Sequence, residues 1–276
     1  MPSTSGATLS EPSQSRRLQA ARDSVRMRVS FIPNHILETA RMLVIPTYNE
    51  CDNIASLVTR IRNAAGAEPI LFVDDNSPDG TAAEIRRLQD HDSDIHLLAR
   101  PSKAGFSSAC RDGMKKILQG NLALYLILMD ADLSHPPESL PRMIELLKVN
   151  PVVIGSRYVK GGAAQGWDFR RHFLSFGANL YARLLTGVPA HDLTAGFVGY
   201  QADVLRKLDL DRIHSEGYAF QMELKFHLHR MGVSLCEFPI IFSERRAGNS
   251  KFSRKILLEG IAFPIRAMGK RIAGEK

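Results

Sequence analysis

The chain has 276 residues, 44% of them hydrophobic, and a formal net charge of +7. This length suits one or two domains with a full core, and this apolar content excludes a wholly disordered chain. Three cysteines without CxxC spacing argue against a disulfide framework and favour a reducing compartment. The longest apolar run, residues 122–129, is far shorter than the about 20 residues of a membrane-spanning helix, so we expect neither a transmembrane helix nor a secretory signal.

The charge is unevenly distributed along the chain. Residues 239–276 hold nine Lys or Arg and three Glu, a net charge of +6. Such a basic end predicts an anionic partner, and the alternative is a solvated basic tail. Residues 1–40 are rich in Ser and Arg, which predicts a disordered or weakly helical extension. We therefore expect this extension, a folded domain over residues 41–256, and a basic amphipathic tail over residues 257–276.

Short apolar runs alternate with amphipathic stretches from residue 42 onward. Strands are predicted at 42–46, 70–73, 95–98 and 124–129. Helices are predicted at 52–65, 81–89, 107–118 and 139–149. Thr81 and Glu84 predict a capping box at the start of the second helix. The alternation indicates βαβ units and therefore an α/β fold with a mostly parallel sheet flanked by helices.

Acidic residues directly follow two of these predicted strands. Asp74 and Asp75 follow the second strand, and Asp130 and Asp132 follow the fourth. Ligands bind beyond the carboxyl ends of parallel strands. Carboxylates two residues apart at a strand end lie on the same side and repel each other unless a cation joins them. The pair predicts a Mg²⁺ or Mn²⁺ site shared with substrate phosphates, and the alternative is a polar turn.

Eight short motifs follow one another along residues 46–251. They are PTYNE (46–50), VDDNSPDGT (73–81), DADLSHPP (130–137), GSRY (155–158), WDFRRHFLS (167–175), HDLTAGF (191–197), GYAFQME (217–223) and RRAGNSK (245–251). In this order they resemble inverting family 2 glycosyltransferases, more narrowly polyprenol- or dolichol-phosphate mannosyltransferases. The resemblance covers about residues 42–256.

The resemblance implies a GT-A type, Rossmann-like domain over residues 41–256 and a metal-dependent enzyme using Mg²⁺ or Mn²⁺. The implied reaction is inverting transfer of mannose from GDP-mannose to a polyprenyl (dolichyl-type) monophosphate, giving a β-mannosyl phosphate. Two alternatives stay open: a UDP-glucose or UDP-N-acetylglucosamine donor, and a non-catalytic sugar-nucleotide-binding membrane scaffold. Aromatic residues do not interleave with the basic C-terminal end, so no nucleic acid partner is expected.

The resemblance also assigns roles to individual residues. Asp130 and Asp132 would bind the metal and the diphosphate. Arg157, Arg245 and Lys251 would complete the catalytic group, the last two on a flexible loop that also contacts the donor. The other donor contacts would be Pro46, Tyr48, Glu50, Val73, Asp75, Met129, Ala131 and Ser134. The acceptor phosphate would be held by Arg157, Arg171 and Ser175.

Two further points concern the implied sugar and metal contacts. Asp192 and Glu223 are candidates to orient sugar hydroxyls, and the alternative for both is a buried hydrogen-bond partner. The family often has Gln where this chain has Ser134, so we expect water to fill the space left by the shorter side chain.

Residues 168–186 and 252–268 interleave basic with bulky apolar side chains. This pattern is typical of amphipathic helices in a membrane interface, and the alternative is packing on the sheet. Together with the lipid acceptor that the resemblance implies, this amphipathic pattern predicts a peripheral protein on the cytoplasmic face of a membrane. A separate membrane-anchoring subunit is an additional candidate partner.

Overall fold

A computed structural model describes residues 41–244 and 254–273 of the chain. Their strands are β1 (Arg41–Thr47), β2 (Ile70–Asp74), β3 (Ile95–Ala99), β4 (Tyr125–Leu128), β5 (Val152–Ser156), β6 (Ala163–Ala164), β7 (Val198–Gln201), β8 (Leu235–Pro239) and β9 (Ile241–Phe242). Their α-helices are α1 (Cys51–Ala65), α2 (Thr81–Gln89), α3 (Phe106–Gly120), α4 (Leu140–Leu147), α5 (Phe169–Thr186), α6 (Ala202–Arg206), α7 (Tyr218–Arg230) and α8 (Arg254–Ala273).

Seven of the strands form one sheet in the order β3-β2-β1-β4-β7-β5-β8. All neighbouring pairs are parallel except those of β7, which runs antiparallel to both β4 and β5. Strands β6 and β9 form a second, two-stranded sheet. The predicted α/β fold with a mostly parallel sheet is confirmed.

The sheet is covered by helices on both faces. Buried side chains of α3, α5, α7 and α8 pack on one face, and those of α1, α2 and α4 pack on the other. Helix α3 approaches the sheet so closely at Gly113 that a Cβ there would lie 2.6 Å from a methyl group of Val44 and 2.9 Å from one of Val73. A larger residue at this position would push α3 away from β1 and β2.

The four predicted strands and four predicted helices are present, with ends shifted by at most two residues. The capping box at Thr81 is wrong. Thr81 is the first residue of α2, and its hydroxyl accepts a hydrogen bond from the Glu50 amide (3.0 Å) and donates to Asp79 (2.6 Å). Glu84 instead pairs with Arg87 at 2.7 Å. Tertiary contacts therefore replace the local cap.

Three predictions concern segment boundaries and membrane spans. Residues 1–40, with the predicted extension, lie outside the described part of the chain. The boundary predicted after residue 256 falls inside α8. No helix within residues 41–244 and 254–273 is both long and apolar enough to cross a membrane.

Candidate active site

The loops after β1, β2 and β4 hold strained backbone at one edge of the sheet. Asn49, Asn76 and Leu133 have φ angles of 57°, 58° and 62°. This left-handed region is tolerated by Asn and is unusual for a bulky residue such as Leu. Such strain persists only where the surroundings fix it, and it concentrates at functional sites. The edge formed by these loops is therefore the candidate site.

The two aspartates at the carboxyl end of β2 both accept hydrogen bonds from other residues of the chain. Asp74 accepts hydrogen bonds from the Thr47 hydroxyl (3.1 Å) and the Ser77 amide (3.0 Å). Asp75 accepts from Arg100 Nη1 at 2.5 Å and from the amides of residues 104 and 105 at 2.9 and 2.7 Å. These bonds order the loops beside β2, and the predicted donor contact of Asp75 stays a prediction.

The other residues predicted for the nucleoside pocket lie at neighbouring strand ends. Pro46 and Val73 are partners in the β1–β2 register, and both are buried. Glu50 accepts a hydrogen bond from Asn53 Nδ2 at 2.8 Å. The structure adds Lys103, whose Nζ lies 3.7 Å from the ring centroid of Tyr48. Sequence reasoning did not single out this lysine, because the contact joins two loops distant in the chain.

Asp130 and Asp132 follow β4 and differ in exposure. The Asp130 side chain is 28% exposed, whereas Asp132 is 3% exposed. Asp132 Oδ1 accepts hydrogen bonds from the Ser134 hydroxyl and from its amide, the latter at 3.1 Å. Met129 and Ala131, also predicted in the donor site, are buried beside them. The hydroxyl of Ser134 thus orients Asp132.

His135 is a residue of this loop that sequence reasoning missed. Its Nδ1 accepts a hydrogen bond from the Asp130 amide at 3.0 Å, so its Nε2 carries the proton of the neutral ring. Nε2 lies 3.8 Å from Asp130 Oδ2. The ring is 3% exposed and stacks on Phe197 with 5.5 Å between centroids. His135 therefore fixes the backbone of Asp130 and places a donor near its carboxylate.

The aspartate pair fits a hard divalent cation, since Mg²⁺ and Mn²⁺ prefer oxygen ligands. In the described part of the chain, no group of three or more His, Cys, Asp or Glu side chains is placed to hold a metal ion.

Arg157 follows β5 and forms a buried ion pair with Asp192. Arg157 Nε and Nη2 donate to the two carboxylate oxygens at 2.8 and 2.6 Å, and Nη2 also donates to Thr194 Oγ1 at 2.7 Å. The side chains of Arg157 and Asp192 are 9% and 0% exposed. Burial opposes both charges, but the pairing outweighs it, so the pKa of Arg157 is raised and that of Asp192 is lowered. Both groups stay charged at neutral pH.

The three residues predicted for the acceptor phosphate meet around two aromatic rings. The guanidinium carbon of Arg157 lies 5.4 Å from the ring centroid of Trp167, and that of Arg171 lies 4.3 Å from it. The Tyr158 hydroxyl donates to Ser175 Oγ at 2.7 Å, and its ring centroid lies 5.3 Å from Arg157. The structure thus brings Arg157, Arg171 and Ser175 to one region. Their binding of an acceptor phosphate stays a prediction.

A sequence profile of glycosyl transferase family 2 matches residues 42–209. The chain belongs to glycosyl transferase family 2. It is 42% identical to a polyprenol monophosphomannose synthase from Mycolicibacterium smegmatis, over 87% of this chain and 91% of that protein. It is 40% identical to an undecaprenyl-phosphate mannosyltransferase from Micrococcus luteus, over 80% of this chain and 90% of that protein.

Solved structures of a second kind of enzyme share the fold. One is glucosyl-3-phosphoglycerate synthase from Mycobacterium tuberculosis with Mn²⁺, UDP-glucose and phosphoglyceric acid. It aligns with a TM-score of 0.63 at 16% identity, covering 85% of this chain and 81% of that one. The same enzyme with Mg²⁺ and UDP aligns with a TM-score of 0.61, also at 16% identity, over 85% and 81% of the two chains. This likeness supports the predicted GT-A type fold of the glycosyltransferase.

The other predicted residues of this glycosyltransferase fall into two groups. Arg245 and Lys251 lie outside the described residues. Asp192 and Glu223, candidates for sugar hydroxyls, are bonded within the chain. Asp192 binds Arg157, and Glu223 Oε2 accepts from the amides of residues 214 and 215 at 3.0 and 2.8 Å. Both carboxylates are therefore buried hydrogen-bond partners, which was the alternative to a role in orienting sugar hydroxyls.

Lys225 of α7 is a third residue that sequence reasoning missed. It is 0% exposed, and its Nζ donates to the carbonyl oxygens of Leu193 and Ala195 at 3.0 and 2.8 Å. Burial lowers the pKa of Lys225 to about 7, although Asp192 and Glu237 act to raise it. No local motif marks a lysine inside a largely buried helix, so only the folded structure reveals it.

The lowered pKa of Lys225 predicts a pH-dependent stability. Between about pH 7 and the ordinary lysine value of 10.5, the unfolded chain binds more protons at this group than the folded one. The contribution of Lys225 to the free energy of unfolding therefore rises with pH, by on the order of 1 kcal/mol per pH unit. In guanidinium unfolding, the stability of the wild type minus that of Lys225→Met should be larger near pH 9 than near pH 7. Equal differences would show that the pKa is not lowered.

Proposed function

We propose that this glycosyltransferase transfers mannose from GDP-mannose to a polyprenyl monophosphate with inversion, giving a polyprenyl β-mannosyl phosphate. The observation that carries the proposal is the 42% and 40% identity to enzymes named for mannose transfer to polyprenol or undecaprenyl phosphate. The site is compatible with it, because paired carboxylates and clustered arginines suit two phosphate-bearing substrates.

The donor end of the site is built around the two aspartates after β4. Asp130 and Asp132 would hold Mg²⁺ or Mn²⁺, which when bound neutralises the charge that develops on the departing GDP. Ser134 holds one oxygen of Asp132, and His135 holds the backbone of Asp130. These contacts fix the carboxylate of Asp132 and the backbone of Asp130 before the donor binds, which reduces the reorganisation needed during the reaction.

The acceptor end of the site has to bring a second anion towards the donor. A lipid monophosphate is already anionic at neutral pH, so the reaction needs no strong general base. Arg171 is paired with Glu244 at 2.8 Å, and the two side chains are 49% and 52% exposed. Exposed ion pairs contribute only about 0–1 kcal/mol to stability, so a phosphate would displace the Glu244 carboxylate from Arg171 at a small cost in free energy. Arg157 and Ser175 lie beside it and would bind the same phosphate.

Helices α5 and α8 expose an unusual number of large apolar side chains. We call this region the α5–α8 surface, and the two helices touch where the Tyr181 hydroxyl donates to the Ile261 carbonyl at 2.9 Å. Exposed fractions range from 46% to 82% over the residues Phe169, Phe173, Leu174, Phe176, Leu180, Leu184, Leu257, Leu258, Ile261, Ile265 and Ile272. Apolar surface of this kind, edged by basic residues, suits a membrane interface.

The position of this surface agrees with a lipid acceptor. Helix α5 also carries Arg171 and Ser175, so phosphate contacts and apolar side chains share one element. A polyprenyl phosphate could keep its tail in the lipid while its headgroup reaches the site. We therefore propose peripheral attachment to the cytoplasmic face of a membrane, with a separate anchoring subunit as a further partner.

Removing apolar side chains from the α5–α8 surface should weaken membrane binding. Phe173 and Leu174 are 67% and 70% exposed, and burying each in lipid contributes roughly 1.5–3 kcal/mol. Phe173→Gln with Leu174→Gln should lower binding to phosphatidylglycerol vesicles at least about 10-fold in a sedimentation assay. Val149→Gln is the matched control, since Val149 is 79% exposed and lies elsewhere. Equal losses in both variants would contradict the proposed surface.

A donor and acceptor assay tests the proposed function. The full-length protein is incubated with Mn²⁺, polyprenyl phosphate in vesicles and radiolabelled GDP-mannose, UDP-glucose or UDP-N-acetylglucosamine in separate reactions. Label that enters the organic phase only from GDP-mannose, and is released by mild acid, supports the proposal. Transfer from a UDP donor alone would change the assigned sugar. No transfer from any donor with either Mg²⁺ or Mn²⁺ would support a non-catalytic role.

A further inference from the structure

One short segment of the chain connects the two ends of the site. This segment comprises residues 192–196. It begins with Asp192, which binds Arg157 at the acceptor end. It ends with Gly196, where a Cβ would lie 3.6 and 3.7 Å from the two carboxylate oxygens of Asp130. The segment therefore binds the residue proposed to hold the acceptor phosphate and lies beside a residue proposed to hold the metal.

The middle of this segment is held by α7. Lys225 Nζ binds the carbonyls of residues 193 and 195, on either side of Thr194. Thr194 is fixed in turn, because its hydroxyl accepts from Arg157 Nη2 (2.7 Å) and its amide donates to Asn179 Oδ1 (3.1 Å). The amine of Lys225 thus ties the carbonyl groups of residues 193 and 195 to the core of the protein.

We propose that Lys225 is a positioning residue that sets the separation of the Arg157–Asp192 pair from the Asp130 carboxylate. This inference rests on the proposed function, in which the two groups serve different substrates. An apolar side chain in place of Lys225 would leave two buried carbonyls without their donor, an unfavourable state that a shift of the segment relieves. The donor and acceptor subsites would then move relative to each other.

The expected consequence is a loss of turnover rather than of binding. Each subsite keeps its own contacts when the segment shifts, so the KM values for donor and acceptor should change by less than about 3-fold. The reacting atoms lose alignment, and a misplacement of about 1 Å can lower the rate about 100-fold. A lysine that only stabilises the fold would lower the melting temperature without changing kcat of the folded protein.

The test compares Lys225→Met and Lys225→Gln with the wild type, and Lys207→Met is the control because Lys207 is exposed. Steady-state kinetics with GDP-mannose and polyprenyl phosphate gives kcat and both KM values. Fluorescence of Trp167, the one tryptophan of the chain, gives a readout that needs no substrate. Its ring lies 5.4 Å from the Arg157 guanidinium, so its emission should respond to movement of the Arg157–Asp192 pair.

The proposal expects folded Lys225→Met to lose about 10- to 100-fold in kcat and to show altered Trp167 emission, with Lys207→Met unchanged. Wild-type kcat and emission in the folded variant would overturn it. Failure of both Lys225 variants to fold would also overturn it, since the lysine would then serve stability. An inactive wild type would instead contradict the proposed function, and the Trp167 emission of the variants would still decide the role of Lys225.

Discussion

Asp132→Asn should lower the rate of sugar transfer by on the order of 10²–10³-fold while leaving the fold intact. The substitution keeps a carbonyl oxygen that can accept from the amide and hydroxyl of Ser134, so the buried loop keeps its hydrogen bonds. It removes the negative charge that would bind the metal beside the diphosphate. Asp132→Ala should also abolish transfer. It leaves the Ser134 donors unpaired, however, and this should lower the free energy of unfolding by about 1–3 kcal/mol.

The matched control for Asp132→Asn is Asp203→Asn. The Asp203 side chain is 81% exposed and pairs with Arg206 of the same helix turn, so transfer and stability should stay close to the wild type. Mn²⁺ affinity in the presence of GDP, measured by titration calorimetry, should fall for Asp132→Asn and not for Asp203→Asn. Wild-type turnover of Asp132→Asn would remove this residue from the metal site.

The first half of the fold follows from the sequence because its signals are local. Strands β1 to β4 are short apolar runs, and the helices between them have apolar residues at helical spacing. Strand β7 was not predicted. Its place in the sheet depends on antiparallel pairing with β4 and β5, and the segments next to it in the chain do not determine that pairing. Long-range pairing decides this part of the sheet, and single-sequence periodicity does not report it.

The candidate site divides in the same way between what the sequence reveals and what it does not. Asp130 and Asp132 could be predicted, because acidic residues after a buried parallel strand have a physical reason to lie at a ligand edge. The partnership of Arg157 with Asp192 could not, because it joins residues 35 positions apart in a buried contact. The same reason hides Lys225, whose carbonyl partners lie 30 and 32 positions away. Motifs locate the chemistry, whereas folding determines which charges neutralise each other.

Arg157→Met should lower the free energy of unfolding by about 3–5 kcal/mol, because it leaves the fully buried Asp192 carboxylate without its guanidinium partner. In the double variant Arg157→Met/Asp192→Leu, neither charge of the pair remains, so a large part of the lost stability should return. Urea unfolding of the wild type, both single variants and the double variant measures this coupling. As a control, the same set of variants is made for Lys148 and Glu145 with Lys148→Met and Glu145→Leu. This ion pair is exposed, and we expect it to contribute at most about 1 kcal/mol to the free energy of unfolding.

The same set of variants separates the structural role of Arg157 from its proposed role at the acceptor phosphate. The bonds to Asp192 and Thr194 use Nε and Nη2, which leaves Nη1 outside them. If Arg157 also binds the phosphate, the double variant should fold well and still transfer sugar as poorly as Arg157→Met. Recovery of transfer together with stability would assign Arg157 to the framework of the site. The acceptor phosphate would then be held by Arg171 and Ser175, whose contacts the double variant leaves in place.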